Sequence, residues 1–558
     1  MRIAIGQINT TVGDLVGNCD RIVTAVESAS AAGAQLVLFP ELAICGYPPL
    51  DLVTREDFVA AVERATDTLA KRLKGQPPVV VGTLRRSDEG AARPVHNSTA
   101  IIENGAVVAY SDKVLLPTYD VFDESRTFEP GGPVQVHSIA GHAVGIAICE
   151  DLWTSRVPGQ ISYRRDPGQE LIDAGAEIIL CPSASPFRRG KSGVRRQLFR
   201  DQAARYGVPI VLANLVGGNT ELIFDGASMM AHPDRSFEQF TSFEEQVGVV
   251  GQKPSVEVDL DPVEEIASAL VLGIRDYFHK CHIDRAVLGL SGGIDSAVTA
   301  LLAVEALGAD QVMGIAMPGP YSSRGSLEDS RDLAQKLGIN LEEISVNSSY
   351  RALRSVMEPL LGEGEWGVAQ ENLQARIRGT VLMTVANRQG AMVLATGNKS
   401  ELSVGYCTLY GDMCGGLAPL GDVRKREVYA IAQLERFRGR VPQETIDKAP
   451  SAELAPHQRD EDTLPPYQQL DEVLEAWIEG RQSGLQIQQQ GHDAEMVRRV
   501  IGLIESSEHK RRQSAPILRV SPRAFGLGRR VPIARSLSGW QLDDLDRSIE
   551  PGSSPGNS

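Results

Sequence analysis

The sequence predicts an α/β protein of two domains, with a mixed sheet in the first domain and a doubly wound parallel sheet in the second. Three observations carry this prediction. The length of 558 residues exceeds the usual size of one hydrophobic core, short apolar runs alternate with helical patterns in the first half, and strand–helix units follow residue 263. We expect domains at 1–250 and 263–540, a linker at 251–262 and a disordered tail at 541–558.

In the first domain, the strand candidates are short apolar segments separated by polar or helical stretches. A helix is expected at 18–32, and the dipeptide Asn104-Gly105 favours a two-residue hairpin turn between two alternating strands. A hairpin beside crossover strands makes the sheet mixed, with parallel and antiparallel pairs. The other strand candidates are RIAIGQI, AQLVLF, PPVVVGTL, HAVGIAIC, AEIILC and VPIVLAN.

The second domain is expected to begin after GQKPSVEVDLDP, a polar segment that contains prolines. A periodic helix at 263–279 comes first, followed by strand AVLGL, loop SGGIDS, helix AVTALLAVEAL, strand VMGIAM and a helix at 326–337. Such repeated strand–helix units are typical of a doubly wound parallel sheet, which binds nucleotides at the carboxyl ends of its strands. The segment 449–467, rich in Pro, Asp, Glu and Gln, is expected to be a mobile loop.

Composition and charge exclude several classes of protein. Lys and Arg total 56 against 72 Asp and Glu, and the net charge of −16 disfavours binding to nucleic acid or to an anionic membrane. The sequence contains no apolar run of membrane-spanning length and no signal-peptide pattern, so we expect a soluble, cytoplasmic protein. Seven cysteines spread over this length indicate reduced thiols, of which one could be a nucleophile.

Three segments of the first domain each place a reactive side chain just after an apolar strand. Glu41 lies in LVLFPELAICGYPPLDL, Lys113 in YSDKVLLPTYDVFDESRTF and Cys149 in VGIAICEDLW. A carboxylate can take the proton of a cysteine thiol, and an ammonium can stabilise the negative charge that develops on an attacked carbonyl oxygen. Each residue alone also has an ordinary structural interpretation, as a buried thiol or a solvated charge at a strand end. Together they predict an amide-cleaving site.

The flanking patterns resemble the three signatures of the nitrilase (carbon-nitrogen hydrolase) superfamily, and more closely its glutamine-amidase branch fused to NAD synthetase. The resemblance spans most of residues 1–250 and implies a four-layer α-β-β-α sandwich. It implies that Glu41 is the general base, Cys149 the nucleophile that forms a glutamyl thioester, and Lys113 the oxyanion-stabilising cation. It also implies a supporting carboxylate and three glutamine-binding side chains: Glu124, and Tyr119, Ser185 and Lys191.

The loop SGGIDS of the second domain predicts a phosphate site on physical grounds. It follows a buried strand and opens a helix, so that its backbone N–H groups and the helix N-terminus can bind an anion. Its glycines allow close approach of a ligand, although a tight connection without function would have the same composition. The Walker pattern GxxxxGK[ST] is absent.

SGGIDS resembles the PP-motif of the ATP pyrophosphatases, and ENLQARIRGT and VLATGNKSELSVGYCTLYGDMCGGLAPLGDVRKREVY resemble the NAD synthetase branch of that family over nearly all of 263–535. The resemblance implies a doubly wound, Rossmann-like domain that uses ATP and Mg²⁺ to amidate deamido-NAD through an adenylate, with magnesium held by Asp295 and Glu401. Arg376, Arg378 and Lys425 are candidates for neutralising phosphate charge, and Lys510 in EHKRRQ is a candidate for binding the dinucleotide, although such a run of charges is more commonly a solvated surface. The predicted ATP-binding residues are Gly289, Leu290, Ser291, Gly292, Gly293, Ile294, Asp295, Ser296, Thr396, Arg378 and Lys425, and the predicted deamido-NAD contacts are Asn372, Glu401 and Lys510.

The two resemblances together predict a ligase in which the first domain releases ammonia from glutamine and the second consumes it, with NAD, AMP, pyrophosphate and glutamate as products. The families also imply an ammonia channel and a homo-oligomer, possibly an octamer. Two rival hypotheses remain: another ATP pyrophosphatase, such as a tRNA-modifying enzyme, and a non-catalytic scaffold. The excess of acidic residues disfavours a tRNA-modifying enzyme. The presence of Glu41, Lys113, Cys149 and the full SGGIDS loop disfavours a non-catalytic scaffold.

Overall fold

The structure, a computed structural model, describes residues 1–154, 163–251, 260–456 and 458–536. It divides into two compact units, Met1–Lys280 and Cys281–Ser558. The predicted linker lies largely, and the predicted tail entirely, outside the described residues. Within the described part of the chain, no helix is both long enough and apolar enough to cross a membrane.

The first unit contains fourteen strands and five α-helices among its described residues. The strands are β1 Ile3–Gln7, β2 Leu36–Leu38, β3 Val79–Arg86, β4 Val95–Glu103, β5 Ala106–Asp112, β6 Val136–Ile139, β7 His142–Ile146, β8 Ile178–Ser183, β9 Ile210–Asn214, β10 Val216–Asn219, β11 Leu222–Asp225, β12 Met229–Ala231, β13 Phe237–Gln239 and β14 Gln246–Val250. The helices are α1 Leu15–Ala31, α2 Glu56–Arg72, α3 Pro167–Asp173, α4 Lys191–Tyr206 and α5 Pro262–Lys280, with 3₁₀ turns at Leu50–Thr54, Glu124–Arg126 and Cys149–Leu152.

Two six-stranded mixed sheets pack face to face in this unit. Their strand orders are β14-β1-β2-β3-β4-β5 and β13-β12-β9-β8-β7-β6, and β10 and β11 form a separate hairpin. Side chains from both sheets, among them Ile5, Leu38, Ile146 and Leu180, form one buried cluster. Helices α1 and α2 contact the first sheet, and α3 and α4 contact the second. The expected four-layer α-β-β-α sandwich is confirmed.

The central strands of this sandwich, such as β1, β2, β8 and β9, are mostly apolar because both faces of each sheet are covered there. In β1, for example, Ile3 and Ile5 pack between the sheets while Ala4 joins the cluster beneath the helices. The predicted hairpin is also present, since β4 and β5 pair antiparallel across Asn104-Gly105.

Helix α5, which the sequence analysis placed at the start of the second domain, packs against β10 and β11 and lies within the first compact unit. The physical reason is a pair of charged side chains on its last turns, Asp276 and Lys280, which are bound by the loop at Asn9 and by the β10–β11 hairpin. Such long-range partners leave no local trace in the sequence.

The second unit is built on a four-stranded parallel sheet. Its described elements are β15 Ala286–Leu290, α6 Ile294–Leu307, β16 Val312–Ala316, α7 Arg324–Leu337, β17 Asn340–Glu343, α8 Asn347–Leu361, α9 Val368–Gln389, β18 Met392–Val393, α10 Lys399–Val404, α11 Lys425–Ala432, α12 Gln443–Asp447, α13 Tyr467–Leu474, α14 Gly484–Gln489, α15 Ala494–Ser506 and α16 Glu508–Arg511. Shorter turns lie at Ala309–Gln311, Glu435–Phe437, Asp460–Asp462, Glu475–Glu479 and Gly526–Gly528.

The strand order β17-β16-β15-β18 confirms the predicted doubly wound sheet. All pairs in it are parallel, and the order reverses direction between β15 and β18. In such sheets a ligand binds at the carboxyl ends of the strands beside this reversal. The loop after β15 is therefore where the fold itself favours a binding site.

Candidate active sites

Four side chains predicted for the amidase site come together in the interior of the first unit. Glu41 follows β2, Lys113 follows β5, Glu124 opens one 3₁₀ turn, and Cys149 opens another after β7. Each of the four has at most 5% of its surface exposed. The ends of strands β2, β5 and β7 and the turn at Glu124 thus bring these reactive groups into one buried cluster.

Lys113 is the centre of this cluster. Its Nζ donates to Glu41 Oε1 at 2.6 Å and to Glu124 Oε1 at 2.9 Å. Asn97 Nδ2 donates to the same oxygen of Glu41 at 2.7 Å, and the backbone N–H of Ala184 donates to Glu41 Oε2 at 2.9 Å. Both oxygens of the expected general base are therefore fixed by donors from three segments of the chain.

The charges of the cluster alter its pKa values. Burial alone lowers the pKa of Lys113, but the charges of Glu124 and Glu41 outweigh burial and raise it well above its usual value. Burial raises the pKa of Glu124 to about 7, with Lys113 opposing and Glu41 adding to the rise. Near neutral pH the lysine is thus a permanent cation, and Glu124 is poised to hold a proton.

Cys149 is a buried thiol at a strained position. Its backbone φ is +45°, a conformation uncommon for residues other than glycine and frequent at functional sites. Burial raises the pKa of the thiol, and the charge of Glu41 raises it further, whereas Lys113 and the hydroxyl of Ser183, which donates to Sγ at 3.2 Å, lower it. The resting sulfur is protonated, so attack requires a base.

Asp151 joins the nucleophile's turn to the segment that carries Lys113. Its carboxylate accepts from the backbone N–H of Ile148 at 2.9 Å and from those of Val114 and Leu115 at 3.1 and 2.8 Å. Burial raises its pKa to about 7, while these backbone donors oppose the rise. Since the bonds flank both Cys149 and Lys113, Asp151 fixes the spacing between the two.

The predicted glutamine-binding residue Tyr119 lies on the rim of the site beside a carboxylate that the sequence analysis missed. The Tyr119 hydroxyl donates to both oxygens of Glu150, at 3.0 and 3.1 Å, and Tyr163 donates at 2.9 Å. Burial raises the pKa of Glu150, against the effect of Lys113. Glu150 follows Cys149 directly in the chain and places a second carboxyl beside the cluster.

The other two predicted glutamine contacts lie between β8 and α4. Ser185 is buried, and its backbone N–H donates to Asn214. Lys191 opens α4, donates to the carbonyl of Pro186 at 3.0 Å and lies 5.5 Å from the ring centre of Trp153. Its charge lowers the pKa of Glu150, which places it near that carboxylate.

Sequence reasoning also missed Tyr47, Asn97 and Ser183. The Tyr47 hydroxyl donates to Glu124 at 2.8 Å, and the other two contact Glu41 and Cys149 as described above. Tyr47 lies in the quoted segment around Glu41, and Ser183 lies two residues after the expected strand AEIILC, so the position of each gave a signal. No signal in the sequence marked Asn97, because its bond to Glu41 depends on which strand lies beside its own.

In the second unit, the predicted loop forms the turn between β15 and α6. Gly292 has a φ of +74°, and a Cβ there would lie 2.5 Å from the carbonyl oxygen of Ser326. Ser291 and Ser296 bond to this turn, with Gly293 N donating to Ser291 Oγ at 3.3 Å and Ser296 Oγ donating to the Gly293 carbonyl at 2.9 Å. No side chain caps the start of α6. The first N–H groups of this helix are thus available to an anion.

Asp295 and Glu401, the predicted magnesium ligands, converge on one cation. Lys425 Nζ lies 2.5 Å from Asp295 Oδ2 and 3.1 Å from Glu401 Oε1. Asn398 Nδ2 donates to the other oxygen of Asp295 at 2.8 Å. Asn398 also caps α10 by accepting from the N–H of Glu401, which fixes the direction of that glutamate.

Burial and charge around Asp295 and Glu401 favour the binding of a cation. Burial raises the pKa of Glu401 to about 8, with Lys425 opposing and Asp295 adding to the rise. Burial lowers the pKa of Lys425, but Asp295 and Glu401 outweigh it and raise that pKa. The described residues contain no cluster of three or more His, Cys, Asp or Glu suited to a metal. Two oxygen donors fit a Mg²⁺ ion that completes its shell with phosphate and water.

The remaining predicted residues of this unit lie on several elements. Asn372 of α9 accepts from Thr408 Oγ1 at 2.7 Å, and Arg378 of the same helix donates to the carbonyl of Met317 at 3.2 Å. Lys510 of α16 donates to the carbonyls of Gly405 and Cys407 at 2.7 and 2.8 Å. Arg376 donates to Leu409, and half-buried Thr396 follows β18. The structure thus joins Asp295, Glu401 and Lys425 directly, and no direct bond joins the others to them.

A small cavity links some of these positions. Glu401 lines it together with Gly397, the neighbour of Thr396, and with Cys407, whose carbonyl binds Lys510. Asp412, absent from the predictions, lines it too, and burial raises its pKa. The Asp412 carboxyl, on the same cavity as Glu401, adds a second titratable group to this end of the site.

Family models, related sequences and solved structures all match this chain. A carbon-nitrogen hydrolase model matches residues 2–251, and an NAD synthase model matches 266–514. A glutamine-dependent NAD(+) synthetase from Synechocystis sp. is 42% identical over 96% of this chain and 98% of its own. The one from Rhodobacter capsulatus is 39% identical over 95% and 98%.

Solved structures agree with the sequence relatives. The glutamine-dependent NAD+ synthetase of Acinetobacter baumannii, in complex with ADP, is 34% identical with a TM-score of 0.74, covering 95% of this chain and 98% of that one. A glutamine-dependent NAD(+) synthetase of Cytophaga hutchinsonii shares the fold, with a TM-score of 0.83 at 23% identity over 98% and 100%. Since the sequence identity extends over nearly the full length of both units, the chain belongs to the glutamine-dependent NAD(+) synthetase family.

Proposed function

We propose that this protein is a glutamine-dependent NAD synthetase, which uses ATP to amidate deamido-NAD with ammonia taken from glutamine. The observation that carries the proposal is the buried Lys113, which bridges two carboxylates beside a protonated cysteine. The second unit supports it with an anion-binding turn beside two carboxylates that share one cation.

In the amidase reaction, Glu41 takes the proton of the Cys149 thiol, and the sulfur attacks the side-chain carbonyl carbon of glutamine. The oxygen that becomes negative is stabilised by the Lys113 ammonium. Collapse of this intermediate breaks the carbon–nitrogen bond, and the leaving nitrogen takes the proton back from Glu41 to depart as ammonia. Water, deprotonated by Glu41, then hydrolyses the thioester to glutamate and restores the thiol.

The substrate's charged end is held by groups of opposite charge. Glu150 complements an α-ammonium, and Lys191 complements an α-carboxylate. Tyr119 and Ser185 supply the remaining polar contacts. Recognition of both charges selects a free amino acid over a simple amide, because a simple amide offers neither charge.

In the synthetase reaction, the nicotinate carboxylate of deamido-NAD attacks the α-phosphorus of ATP, and pyrophosphate leaves. The backbone N–H groups of Ser291–Gly293 and of the first turn of α6 bind the pyrophosphate part of ATP. Ammonia then attacks the carboxyl carbon of the adenylate, AMP departs, and loss of a proton gives NAD. Arg378 and Lys510 add positive charge for the phosphates and the dinucleotide, and Asn372 and Thr396 add polar contacts.

Magnesium would be held by Asp295 and Glu401, where it would neutralise the negative charge of the triphosphate. Lys425 already balances these carboxylates, so it contributes positive charge to the same region. The pairing of both reactions in one chain is advantageous, because free ammonia is mostly protonated near neutral pH.

Isotope labelling tests the proposal directly. Purified protein is incubated with deamido-NAD, Mg-ATP and glutamine labelled with ¹⁵N at its amide. The expected result is NAD that carries ¹⁵N in its carboxamide, with AMP and pyrophosphate formed in equal amounts. Folded protein that forms no NAD under these conditions would refute it.

A further inference from the structure

The last turns of helix α5 contain a buried charged pair that the amidase reaction does not use. Lys280 Nζ donates to Asn9 Oδ1, to the carbonyls of Thr10 and Gly218, and to Asn219 Oδ1, at 2.8–2.9 Å. These four acceptors surround one ammonium, which has three N–H donors, so the partly buried side chain is held from several sides. Lys280 is also the last residue of the first compact unit.

Asp276, one turn earlier in α5, binds two of the segments that Lys280 binds, the loop at Asn9 and the β10–β11 hairpin. Its Oδ2 accepts from Asn9 Nδ2 and from the backbone N–H of Gly218, both at 2.7 Å. The hairpin residues there are glycines, and a Cβ on Gly217 would lie 2.8 Å from Asp276 Oδ2 and closer still to Asn9. Residues without a side chain at this point are what allow the helix to approach the hairpin backbone.

A chain of hydrogen bonds leads from Lys280 to the amidase site. Asn219, which accepts from Lys280, donates through Nδ2 to the carbonyl of Tyr47 at 2.8 Å. The Tyr47 ring packs edge-on against Phe224 of the same hairpin. Its hydroxyl donates to Glu124 Oε1 at 2.8 Å, the oxygen that also accepts from Lys113.

The Lys280 ammonium also supports the other side of the loop that contains Tyr47. Lys280 binds Asn9 and Thr10, and the residues that follow them lie against this loop: the N–H of Gly13 donates to the carbonyl of Cys45 at 2.9 Å. Both segments that support Tyr47 therefore meet at Lys280.

We propose that Lys280, Asn219 and Tyr47 are positioning residues of the amidase site, and that the end of helix α5 thereby holds Glu124 against Lys113. The inference rests on the proposed function, since it names groups that orient that function's catalytic residues. Without the Tyr47 hydroxyl, Glu124 loses one of its two donors and Lys113 loses a fixed partner. Stabilisation of the transition state, in which Lys113 must lie at the oxyanion, is weakened more than glutamine binding.

The test uses the full-length protein and three variants. Tyr47→Phe removes only the hydroxyl, and Asn219→Asp keeps the acceptor for Lys280 while removing the donor to Tyr47. Lys280→Met removes the ammonium. Tyr206→Phe is the matched control, because its hydroxyl donates to Asp166 at the same 2.8 Å within the same unit but away from the site. Glutamine hydrolysis, ammonia-driven NAD synthesis and melting temperature are measured for each.

We expect Tyr47→Phe and Asn219→Asp each to lower kcat for glutamine hydrolysis about tenfold, with KM for glutamine, ammonia-driven synthesis and melting temperature near wild type. Because the residues act along one chain of bonds, the double variant should lose about tenfold rather than a hundredfold. Lys280→Met should show the same loss, and if it does not fold, Asn219→Asp tests the same link.

Three results would overturn the inference: an unchanged kcat in Tyr47→Phe, an equal loss in Tyr206→Phe, or additive losses in the double variant. Wild-type glutamine hydrolysis is measured in the same experiment. Its absence would count against the proposed function and against this inference with it, whereas its presence with an unaffected Tyr47→Phe would count against this inference alone.

Discussion

Replacing Lys113 by Met would remove the cation at the centre of the amidase site while keeping an unbranched side chain of similar length. Two carboxylates, Glu41 and Glu124, would then be left buried with Asn97 and Tyr47 as their remaining side-chain donors. Breaking a buried ion pair from one side costs about 3–5 kcal/mol. In a unit of this size that corresponds to a fall in melting temperature of about 10 °C.

The loss of stability should depend on pH. Lys113 lowers the pKa of Glu124, which is about 7 in its presence, so removing Lys113 raises that pKa further. A glutamate with a raised pKa in the folded state stabilises the protein at low pH, and this contribution is lost as the pH rises through the folded pKa. The difference in melting temperature from wild type should therefore be larger at pH 8 than at pH 6.

Calorimetry and a glutaminase assay would measure both consequences. Lys336→Met is the matched control, because Lys336 pairs with Asp332 at the same 2.6 Å but on the exposed surface of α7, where such a pair is worth less than about 1 kcal/mol. Glutamine hydrolysis by Lys113→Met should fall at least about a hundredfold, the value of one oxyanion donor. A variant that melts within a degree of wild type and still hydrolyses glutamine would refute this reasoning.

Three further outcomes follow from the two sites. Asp295→Asn should lower NAD synthesis from glutamine and from ammonia alike, by at least about tenfold, while glutamine hydrolysis persists; retained ammonia-driven synthesis would contradict its assignment to the ATP site. Gly292→Ala should weaken ATP binding about tenfold in calorimetric titration, because its Cβ would meet the Ser326 backbone and its φ is positive, and unchanged ATP affinity would count against the turn. Alkylation of Cys149 by iodoacetamide should continue to accelerate above pH 9, because burial raises its thiol pKa; a plateau below pH 8 would show a thiolate at rest.

The fold was predictable from the sequence because its central strands are short apolar runs and its turns have distinctive residues. Asn104-Gly105 marked a hairpin, and the alternation of elements indicated two layered domains. The contacts of α5 were not predictable, because Asp276 and Lys280 bind residues that lie far away in the chain.

Some residues of the candidate sites were likewise predictable from the sequence, and others were not. Glu41, Lys113 and Cys149 stood out because each follows an apolar strand within a distinctive segment. Asn97 and Glu150 did not, because a polar residue in a strand, or one next to a nucleophile, acquires its role only through its neighbours in space. Lys425 was expected to neutralise phosphate, and the structure adds that it bridges Asp295 and Glu401.

The most direct test of the central claim, that two separate reactions are joined in one chain, is NAD formation by Cys149→Ala with glutamine or with ammonium chloride as the nitrogen source. Cys149 is the only nucleophile in the proposed amidase step, and the synthetase residues lie in the other unit. The account predicts no NAD from glutamine and near wild-type NAD from ammonia. Substantial NAD from glutamine, or loss of synthesis from both sources in a folded variant, would contradict it.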